Sequence, residues 1–508
     1  MLLTKIIATL GPASSKPEMI SELIVKGVRV FRLNFSHGTF EQYDEWINRI
    51  RAVCDDLGIS VAILGDLAGP KIRIGRVIDE GVELKKGAEV EFHTESIITQ
   101  PPDSPQHPVV LSSTYPQFIP EVNPGDRILL DDGNIRLSCE SNEQKRIVCR
   151  VINGGVITSY KGVNLPDTEL SLPALTEKDL KCVEYAVARN LDFLALSFVR
   201  QGKDVKQLKD EMIRLGVQPG NTFPFQREEL KYSAIEVESE HIMPIISKIE
   251  KPQAVNNLID ILEESDAVMI ARGDLGVEMD LAQVAVLQKR IIRLCREYSL
   301  PCIVATQMLQ SMMDSPTPTR AEVSDVANAI FDGADAVMLS GETAIGRFPI
   351  QAVTMMNRIA ENTNEYIKSL PIPRLVTAKT KEIHQRSAAI ANSVRRIVKD
   401  IDVKYIIVWA KLGGAAIYLS QQKLPCPILF FSSSKTILRR TGLLYGLTPL
   451  YLEQPKSLGE FIKTVDSLLI ENRWARQKDA VVFVLAEPMT HIGITNEIII
   501  HYIGESVE

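Results

Sequence analysis

The sequence has little of what marks secreted, membrane or nucleic-acid-binding proteins. Its seven cysteines are scattered, odd in number and free of C-x-x-C pairs, which argues against a disulfide framework and favours reduced thiols. No apolar run reaches the length of a membrane span, and the first residues lack the basic start of a signal peptide. The net charge of -7, without any Lys/Arg run, removes the usual electrostatic basis for binding nucleic acid. We therefore expect a cytoplasmic protein with no membrane partner and no nucleic-acid partner.

The overall amino-acid composition is that of an ordinary globular protein. With 508 residues, 45% of them apolar, the chain is too long for one hydrophobic core, and we expect about three domains. Because the chain is acidic overall, an anionic ligand must meet cations that are concentrated locally. Single Arg and Lys residues at the ends of predicted strands are therefore the first candidates for function.

Eight short apolar runs alternate with helix-length segments through most of the chain. The predicted strands are 5–10, 28–33, 61–66, 191–198, 243–250, 267–274, 302–307 and 336–340. Apolar residues recur at helical spacing between them, in 176–190, 253–264, 287–298 and 320–331, and Thr176 with Asp179 forms a predicted capping box. This alternation predicts an α/β fold, a closed (β/α)8 TIM barrel built from residues 1–70 and 172–370.

Two further segments have other patterns. Residues 71–171 contain short strands separated by Gly, Pro, Asn and Asp turns, which predicts a small β-barrel lid domain inserted at the mouth of the larger barrel. After a linker containing PIPRLVTAKTKE, residues 371–508 alternate strands and helices and predict a C-terminal α/β domain, a possible effector or oligomer domain. The stretch 216–241 lengthens the connection before the fifth strand, and the sequence gives no physical reason for it.

Polar side chains gather where the predicted barrel strands end. Because the carboxyl ends of parallel barrel strands share one face, residues at these ends are expected to converge. They are Arg32, Asn34, Ser36, His37, Asp66, Lys248, Glu250, Gly273, Asp274, Thr306 and Ser340.

Several of these residues suit the handling of a phosphorylated substrate. Glu250 and Asp274 are oxygen ligands of the kind that Mg²⁺ (or Mn²⁺) accepts, although a single carboxylate is most often part of a surface ion pair. Lys248 and Arg32 could neutralise and hold a phosphoryl group, whereas a strand-end Lys is commonly only solvated. A divalent-metal site with two phosphate-binding cations is the interpretation that uses all four residues.

The remaining strand-end groups carry weaker signals. Gly273 could let a ligand approach the backbone, and the amides around Asp274 with the Thr306 hydroxyl could hold a carboxylate. Thr306 and Ser340 could relay a proton, although strand-end hydroxyls usually bond only to the backbone. His37 lies in a loop, where a histidine is usually polar filler.

A series of motifs resembles the pyruvate kinase family over nearly the whole chain. The motifs are TKIIATLGPAS, FRLNFSHGT, GPKIRIG, KGVNLP, SKIEKPQAV, MIARGDLGVE, VATQMLQSM, PTPTRAEVSDVANAIFDGADAVMLSGETA and a closing TN, in the family order. The resemblance implies Mg²⁺-dependent phosphoryl transfer from phosphoenolpyruvate to ADP, giving pyruvate and ATP as the last step of glycolysis. It also implies a TIM barrel, a β lid, an α/β tail and a homotetramer.

The resemblance also implies roles for individual residues. The phosphate of phosphoenolpyruvate would meet Arg32 and Lys248, and the metal would meet Glu250 and Asp274. The substrate carboxylate and the enolate proton would involve Gly273, Asp274, Thr306 and Ser340, and the nucleotide would meet Arg73, Lys161, His37 and Asn34.

The sequence departs from the family in the monovalent-cation pocket. Potassium-dependent members resemble D-T-K-G-P-E, whereas this chain has D-L-A-G-P-K from Asp66 to Lys71. The residues of that pocket would be Asn34, Ser36, Asp66 and Leu67, and we expect the Lys71 ammonium to do the work of the monovalent ion. Activity is therefore predicted to be independent of potassium.

A second departure concerns regulation. Relatives that are activated by a sugar bisphosphate have a hydroxyl-rich loop where this chain has Trp409 to Gly414, without hydroxyls. This difference argues against activation by fructose 1,6-bisphosphate and leaves Lys411 and the serines 432–434 as candidates for another phosphorylated effector.

Two other functions stay open from the sequence. A Mg²⁺-dependent lyase of the citramalyl- or malyl-CoA type also holds a pyruvate enolate in a barrel, but it needs neither the lid nor ADP. A catalytically silent relative, kept as a regulatory subunit, would show no turnover.

Overall fold

The computed structural model describes residues 2–104, 107–217, 243–371, 385–486, 488–489 and 495–506. The stretch 216–241 and the linker that starts at 371 lie outside the described residues except for their first residues.

The chain begins with three buried strands separated by two helices. They are β1 (Lys5–Thr9), α1 (Pro17–Val25), β2 (Val28–Asn34), α2 (Phe40–Leu57) and β3 (Ala62–Asp66). A capping box between Thr39 and Gln42 begins α2, and Gly58 in the left-handed conformation ends it. Every residue of β1 and β3 is buried, which explains the continuous apolar runs of the sequence.

Residues 71–171, called here the β insertion, contain ten short strands and one short helix among their described residues. They are β4 (Arg76–Val77), β5 (Val82–Leu84), β6 (Glu89–His93), β7 (Ile98–Thr99), β8 (Val109–Ser112), the short helix α3 (Phe118–Glu121), β9 (Arg127–Leu130), β10 (Ile135–Asn142), β11 (Arg146–Asn153), β12 (Gly155–Ile157) and β13 (Val163–Asn164). Six strands form one sheet in the order β13-β9-β10-β11-β6-β8, and β12-β5 and β4-β7 form two small sheets around the same apolar core.

The chain then returns to the barrel. The elements are α4 (Glu177–Ala188), β14 (Phe193–Leu196), α5 (Gly202–Arg214), β15 (Ile245–Ile249), α6 (Pro252–Asn256), α7 (Leu258–Glu264), β16 (Ala267–Ala271), α8 (Arg272–Glu278), α9 (Leu281–Glu297), β17 (Cys302–Ala305), α10 (Arg320–Phe331), β18 (Ala336–Leu339), α11 (Gly341–Ala344) and α12 (Pro349–Lys368). The Thr176–Asp179 capping box is confirmed. The segment predicted as one helix at 253–264 is two, because Asn257 leaves the helical conformation and donates from Nδ2 to the Arg200 carbonyl.

The predicted TIM barrel is confirmed. Eight parallel strands close in the order β1-β18-β17-β16-β15-β14-β3-β2. Side chains of these strands, such as Leu64, Ala195 and Ile246, fill the barrel interior. We call the face where the eight strands end the mouth of the barrel, and the opposite face its floor.

The last part of the chain is a C-terminal α/β domain with one five-stranded sheet. Its elements are α13 (Gln385–Asp400), β19 (Val403–Trp409), α14 (Gly414–Gln421), β20 (Ile428–Ser432), α15 (Lys435–Thr441), β21 (Leu447–Tyr451), α16 (Leu458–Glu471), β22 (Ala480–Leu485) and β23 (Glu497–Tyr502). The sheet order is β21-β20-β19-β22-β23, with β23 antiparallel to β22. The edge strand β21 was not predicted, because Pro449 interrupts its pattern, and an edge is where a strand tolerates proline.

Within the described ranges, no helix combines the length and the hydropathy needed to cross a membrane.

Candidate active site

The ends of β2, β3 and β15 bring two cations onto one buried carboxylate. Arg32 donates from Nε to Asp66 Oδ2 at 2.7 Å, and its terminal nitrogen approaches the same oxygen at 2.6 Å. Lys248 places Nζ 3.4 Å from Asp66 Oδ1 and 2.8 Å from Glu250 Oε1. Asp66 is 1% exposed, so the charges interact in an environment with little water. We call Arg32, Asp66, Lys248 and Glu250 the charged cluster.

The protonation states of the charged cluster follow from its contacts. Burial acts to raise the pKa of Asp66, but Lys248 and Arg32 outweigh it and hold the pKa below its ordinary value. Burial likewise acts to lower the pKa of Lys248, but Asp66 and Glu250 reverse this and the pKa lies above its ordinary value. Lys248 therefore stays a cation at neutral pH despite its burial.

Two residues that the sequence analysis did not single out, Ser197 and Phe198, hold the cluster in place. Lys248 Nζ donates to Ser197 Oγ at 2.8 Å, and the Ser197 hydroxyl donates to the Leu67 carbonyl at 2.7 Å. Phe198 has a φ of 56°, which is strained for a residue with a Cβ, and its N–H donates to Glu250 Oε2 at 2.7 Å. Ser197 directly follows β14, so attention to every strand end would have found it.

Glu250 and Asp274 are the carboxylates predicted to hold a divalent ion. Glu250 is 2% exposed, and Asp274 is half-buried in the first turn of α8. Burial raises the pKa of Glu250; Lys248 opposes this rise and the charge of Asp274 adds to it. Because a cation between the carboxylates would remove their repulsion, the two residues fit a hard divalent ion.

The protein's share of such a metal site is limited to these carboxylates. In the ranges that the structure describes, no group of three or more His, Cys, Asp or Glu side chains has metal-binding spacing. An ion at Glu250 and Asp274 would thus take its other ligands from water and substrate oxygens, as Mg²⁺ usually does.

Gly273 and Thr306 form a second part of the mouth. The Gly273 N–H donates to Thr306 Oγ1 at 2.7 Å, and the Thr306 hydroxyl donates to the Ala305 carbonyl at 2.6 Å. Thr306 has a φ of 69°, a conformation that costs a β-branched residue free energy, and Gln307 follows with a φ of 54°. A Cβ on Gly273 would lie 3.2 Å from Thr306 Oγ1, so the absence of a side chain permits this close approach.

Ser340 lies on the same rim, at the end of β18. Its N–H donates to Glu342 Oε2 at 2.8 Å. The next turn of chain contacts β1, where the Thr343 hydroxyl donates to the Thr9 carbonyl and Arg32 donates to Thr9 Oγ1 at 3.1 Å. Among the described residues no hydrogen bond joins Ser340 to Thr306, so the structure places the two hydroxyl candidates in separate networks.

The residues expected to meet a nucleotide form two groups. On the β insertion, Arg73 forms an isolated β-bridge with Gly162, and its side chain donates to the Tyr160 carbonyl at 2.9 Å. The neighbouring Lys161 places Nζ 2.7 Å from Asp131 Oδ1. Arg73 is exposed and Lys161 is half-buried.

On the barrel side, the exposed His37 donates its N–H to the Asn34 carbonyl at 3.2 Å. Asn34 Oδ1 accepts from the Ser36 N–H at 3.1 Å. In the part of the chain that the structure describes, no hydrogen bond or ion pair connects Asn34 or His37 with the two cations of the β insertion.

Lys71 lies with the β insertion rather than with the charged cluster. The side chain of Lys71 is exposed. A Cβ built on Gly162 would lie 3.7 Å from Lys71 Nζ and 3.9 Å from Asp132 Oδ1. The segments that contain Lys71 and Gly162 are held together by the Val163 N–H, which donates to the Ile72 carbonyl at 2.9 Å. The cations whose charges act on Asp66 are Lys248 and Arg32. The other residues of the predicted monovalent-cation pocket are Asn34 and Ser36 after β2 and the buried Leu67 after β3.

A buried ion pair fastens the β insertion to the mouth. Glu278 Oε1 at the end of α8 accepts from Lys251 Nζ at 2.5 Å and from Asn164 Nδ2 of β13 at 2.8 Å. Glu278 is 2% exposed. Gln253 adds a bond from Nε2 to the Pro166 carbonyl at 3.2 Å. These contacts cover the mouth next to Asp274 with the insertion.

A TIM barrel whose mouth gathers buried cations, paired carboxylates and a β insertion defines a barrel enzyme that acts on an anionic substrate. Family models agree with this class. Residues 1–217 and 228–353 match the model described as "Pyruvate kinase, barrel domain", and residues 388–501 match "Pyruvate kinase, alpha/beta domain". The chain belongs to the pyruvate kinase family and is a phosphotransferase.

Similar proteins cover almost the full length. A pyruvate kinase of Mycobacterium tuberculosis is 36% identical over 99% of this chain and 98% of its own length. A pyruvate kinase of Thermococcus litoralis is 38% identical over 97% of each chain. A crystal structure of a pyruvate kinase from Cryptosporidium parvum aligns with a TM-score of 0.83 and 32% identity, covering 99% of this chain and 96% of that one.

Proposed function

We propose that this chain transfers the phosphoryl group of phosphoenolpyruvate to ADP in a reaction that depends on Mg²⁺ or Mn²⁺, giving pyruvate and ATP. The observation that carries the proposal is the charged cluster, in which Lys248 remains a cation although it is buried. A transferring phosphoryl group spreads negative charge over its oxygens, and fixed cations in a dry site stabilise that charge most effectively.

Arg32 and Lys248 would bind the phosphoryl group between them. Both side chains are already fixed by Asp66, so little rotamer entropy is lost when substrate binds. Arg32 has further N–H groups that could donate to a second phosphate oxygen. The ammonium group of Lys248 would add a compact positive charge beside the phosphate.

Glu250 and Asp274 would hold the divalent ion. When bound, such an ion supplies positive charge to the phosphoryl and enolate oxygens. Glu250 is kept in position by the Phe198 N–H, and Asp274 by its place at the start of α8.

Gly273, Asp274 and Thr306 would hold the carboxylate of the substrate. The Gly273 N–H and the Thr306 hydroxyl now bond with each other and with the Ala305 carbonyl, and an incoming carboxylate would accept from both instead. The enolate left after transfer needs a proton, and Thr306 or Ser340 could deliver it through water.

Arg73 and Lys161 would meet the phosphates of ADP, with His37 and Asn34 on the opposite wall. In this arrangement the nucleotide lies between the β insertion and the barrel, so that ordering of the insertion accompanies binding. We assign residues 1–70 and 172–370 to a catalytic barrel domain, 71–171 to a lid domain and 371–508 to the C-terminal domain.

Three further properties belong to the proposal. The proposal of potassium independence rests on two observations. Position 71 holds a lysine where potassium-dependent relatives have an acid, and Asp66 already contacts two cations. A homotetramer and a cytoplasmic location rest on family membership and, for the location, on the scattered free cysteines.

Pyruvate release from phosphoenolpyruvate, ADP and Mg²⁺ in sodium-only buffer tests the proposal. We expect turnover that stops with EDTA, returns with Mg²⁺ or Mn²⁺, and changes less than twofold on adding KCl. Release without ADP would mean that phosphoenolpyruvate is hydrolysed rather than used to phosphorylate ADP, and a strong rise with KCl would refute potassium independence. No release under any of these conditions would leave the regulatory relative or the lyase.

A further inference from the structure

Two cysteines of the β insertion face each other on neighbouring strands. Cys139 lies in β10 and Cys149 in β11, and the two residues are direct partners in the antiparallel register of these strands. Side chains of directly paired residues lie on the same face of a sheet. Here that face is the buried one, because both cysteines belong to the apolar core of the insertion. We call Cys139 and Cys149 the thiol pair.

The backbone of Cys139 shows which kind of antiparallel pair this is. Its N–H donates to the Asp126 carbonyl at 2.9 Å, and its carbonyl accepts from the Gly125 N–H at 2.8 Å. Gly125 and Asp126 lead into β9, so both backbone groups of Cys139 point away from β11. The thiol pair is therefore a non-hydrogen-bonded pair, the class in which opposite Cα atoms are only about 4.5 Å apart. This separation lies within the range that a disulfide bond spans without moving the backbone.

The two thiols also interact with each other in the reduced chain. A hydrogen bond with Cys149 lowers the pKa of Cys139, and the same bond, together with burial, raises the pKa of Cys149. One sulfur is thus the better nucleophile, and the other keeps its proton. A thiolate with a second thiol beside it is the arrangement typical of cysteines that form disulfides.

An oxidant reaches the thiol pair when the sheet opens locally. Cys139 is 2% exposed and Cys149 is 0% exposed, so the closed sheet shields both sulfurs. The register of β10 and β11 shifts between Cys139 and Ser141, which places a β-bulge directly beside the pair. A bulge interrupts the ladder of hydrogen bonds between two strands. A small, uncharged oxidant such as hydrogen peroxide is therefore suited to this site.

We propose that Cys139 and Cys149 are a reversible modification site, which a hydroperoxide oxidises to a disulfide and a small thiol reduces again. The site lies outside the charged cluster, and the proposal does not depend on the activity proposed above.

The oxidation balances with hydrogen peroxide as its one co-reactant. The Cys139 thiolate attacks a peroxide oxygen, the O–O bond breaks, and the leaving hydroxide takes the proton of Cys149 and departs as water. The Cys149 thiolate then attacks the sulfenic sulfur of Cys139 and the S–O bond breaks. The second hydroxide takes up the proton that Cys139 released at the start. Two thiols and one peroxide thus give one disulfide and two waters, and the peroxide accepts two electrons.

The disulfide would stabilise the centre of the β insertion. Strands β10 and β11 lie between β9 and β6 in the six-stranded sheet. A bond between the two central strands restricts the opened chain, so that local opening of the sheet becomes less favourable.

Peptide mapping of the full-length chain tests the modification site. The reduced chain is exposed to hydrogen peroxide, its remaining thiols are blocked with N-ethylmaleimide in denaturant, and it is digested with trypsin. Because Lys145 and Arg146 lie between the two cysteines, the disulfide would join the separate peptides 137–145 and 147–150. We expect this linked species in the wild type, its loss after dithiothreitol, and its absence from Cys149→Ala.

Other cysteines provide the controls for the peptide mapping. The half-buried Cys54 reports that the oxidant has acted. Cys182→Ala removes a buried cysteine of α4 and should leave the linked species unchanged. Cys295 and Cys302 are a second pair of neighbouring thiols, but burial raises the pKa of Cys302, and we expect both to stay reduced.

Two outcomes of the mapping would overturn the site. One is free thiols at both Cys139 and Cys149 under conditions that oxidise Cys54. The other is a sulfinic acid at Cys139 with an unlinked Cys149, because it would mean that the second thiol does not reach the first. Neither outcome depends on turnover, so both stand even if the chain does not convert phosphoenolpyruvate.

The second test is hydrogen exchange of β10 and β11 in the oxidised and the reduced chain. We expect exchange about tenfold slower or more in the oxidised chain, no change in the barrel strand β1, and a return to the original rates with dithiothreitol. Cys139→Ala should exchange at the same rates before and after peroxide. Unchanged exchange in a chain that carries the disulfide would overturn the stabilisation of the insertion.

Discussion

At the scale of single residues, Asp66 organises the candidate active site. Its predicted role was confined to a monovalent-cation pocket, but its side chain contacts both Arg32 and Lys248. A carboxylate with two cations holds them at a fixed separation in the absence of substrate. Asp66 is therefore a positioning residue for the two cations that we propose to bind phosphate.

Replacing Lys248 with Met should reduce kcat by about 10³-fold, which is the upper range for removal of one group that stabilises transition-state charge. Met keeps the length of the side chain, so the circular dichroism spectrum should remain that of the wild type. Lys289→Met, an exposed lysine paired with Asp332, is the control. More than a tenth of wild-type turnover in Lys248→Met would contradict the role.

The buried Lys5 side chain leads us to expect that the unfolding free energy varies with pH. This effect does not involve the residues at the mouth of the barrel. Burial lowers its pKa from 10.5 to about 7, and Nζ donates to the Leu2 carbonyl at 2.9 Å and to the Leu447 carbonyl. Because the unfolded chain holds this proton up to about pH 10 and the folded chain releases it near pH 7, stability should rise between these values. The contribution is present at high pH and is lost as the pH falls through 7.

The measurement is urea unfolding from pH 6 to 10 for the wild type and Lys5→Met. The difference between the two unfolding free energies should change by a few kcal/mol over this range, at about 1.4 kcal/mol per pKa unit. Parallel curves would show that Lys5 stays protonated in the folded chain.

At the scale of elements, the eight strands were predictable because both of their faces are buried. Each run is therefore mostly apolar, and the chemical groups of the candidate site lie at or near the point where a strand ends. The same rule reaches Ser197 directly after β14 and Thr9 at the end of β1, and it is their contacts with Lys248 and Arg32 that distinguish them. Side-chain direction cannot be deduced from spacing, which is why the contacts of Asp66 and the position of Lys71 were not foreseen.

The turn from β16 into α8 gives the next prediction. Gly273→Ala would bring a Cβ to 3.2 Å from Thr306 Oγ1 and would push the hydroxyl out of its bond with the Gly273 N–H. We expect the KM for phosphoenolpyruvate to rise about tenfold with a smaller change in kcat, since these groups bind the non-reacting carboxylate. Steady-state kinetics at saturating ADP would measure it.

Gly414→Ala is the matched control, because a Cβ there would meet nothing within 4 Å. An unchanged KM in Gly273→Ala, or an equal change in Gly414→Ala, would argue against a carboxylate site at this turn.

At the scale of the whole molecule, the β insertion and the barrel meet through Glu278. Its carboxylate neutralises the buried Lys251 and also accepts from Asn164 of the insertion. Loss of that charge leaves a buried ammonium without its counter-ion, which typically costs about 3 kcal/mol or more.

Glu278→Gln should therefore loosen the insertion while the barrel remains folded. Hydrogen exchange of β13 should become faster than in the wild type, with no change in the barrel strand β17. Lys289→Met, which alters a surface ion pair, is expected to leave both rates unchanged. Equal protection of β13 in the Glu278→Gln chain would mean that apolar packing alone holds the insertion.

The pairing of β3 with β14 has a consequence for the order of folding. Asp66 lies beside Ala195 although the entire β insertion separates them along the chain. Closing such a long loop is slow and entropically costly in an unfolded chain. The insertion brings its own ends together, however, since Ile72 bonds to Val163 and Arg73 pairs with Gly162. An insertion that folds first removes most of its own length from this loop, so that only the short piece from Asp66 to Ile72 and the segment from Val163 to Ala195 remain to be closed. The rate at which the barrel closes therefore depends on a segment that contributes none of its strands.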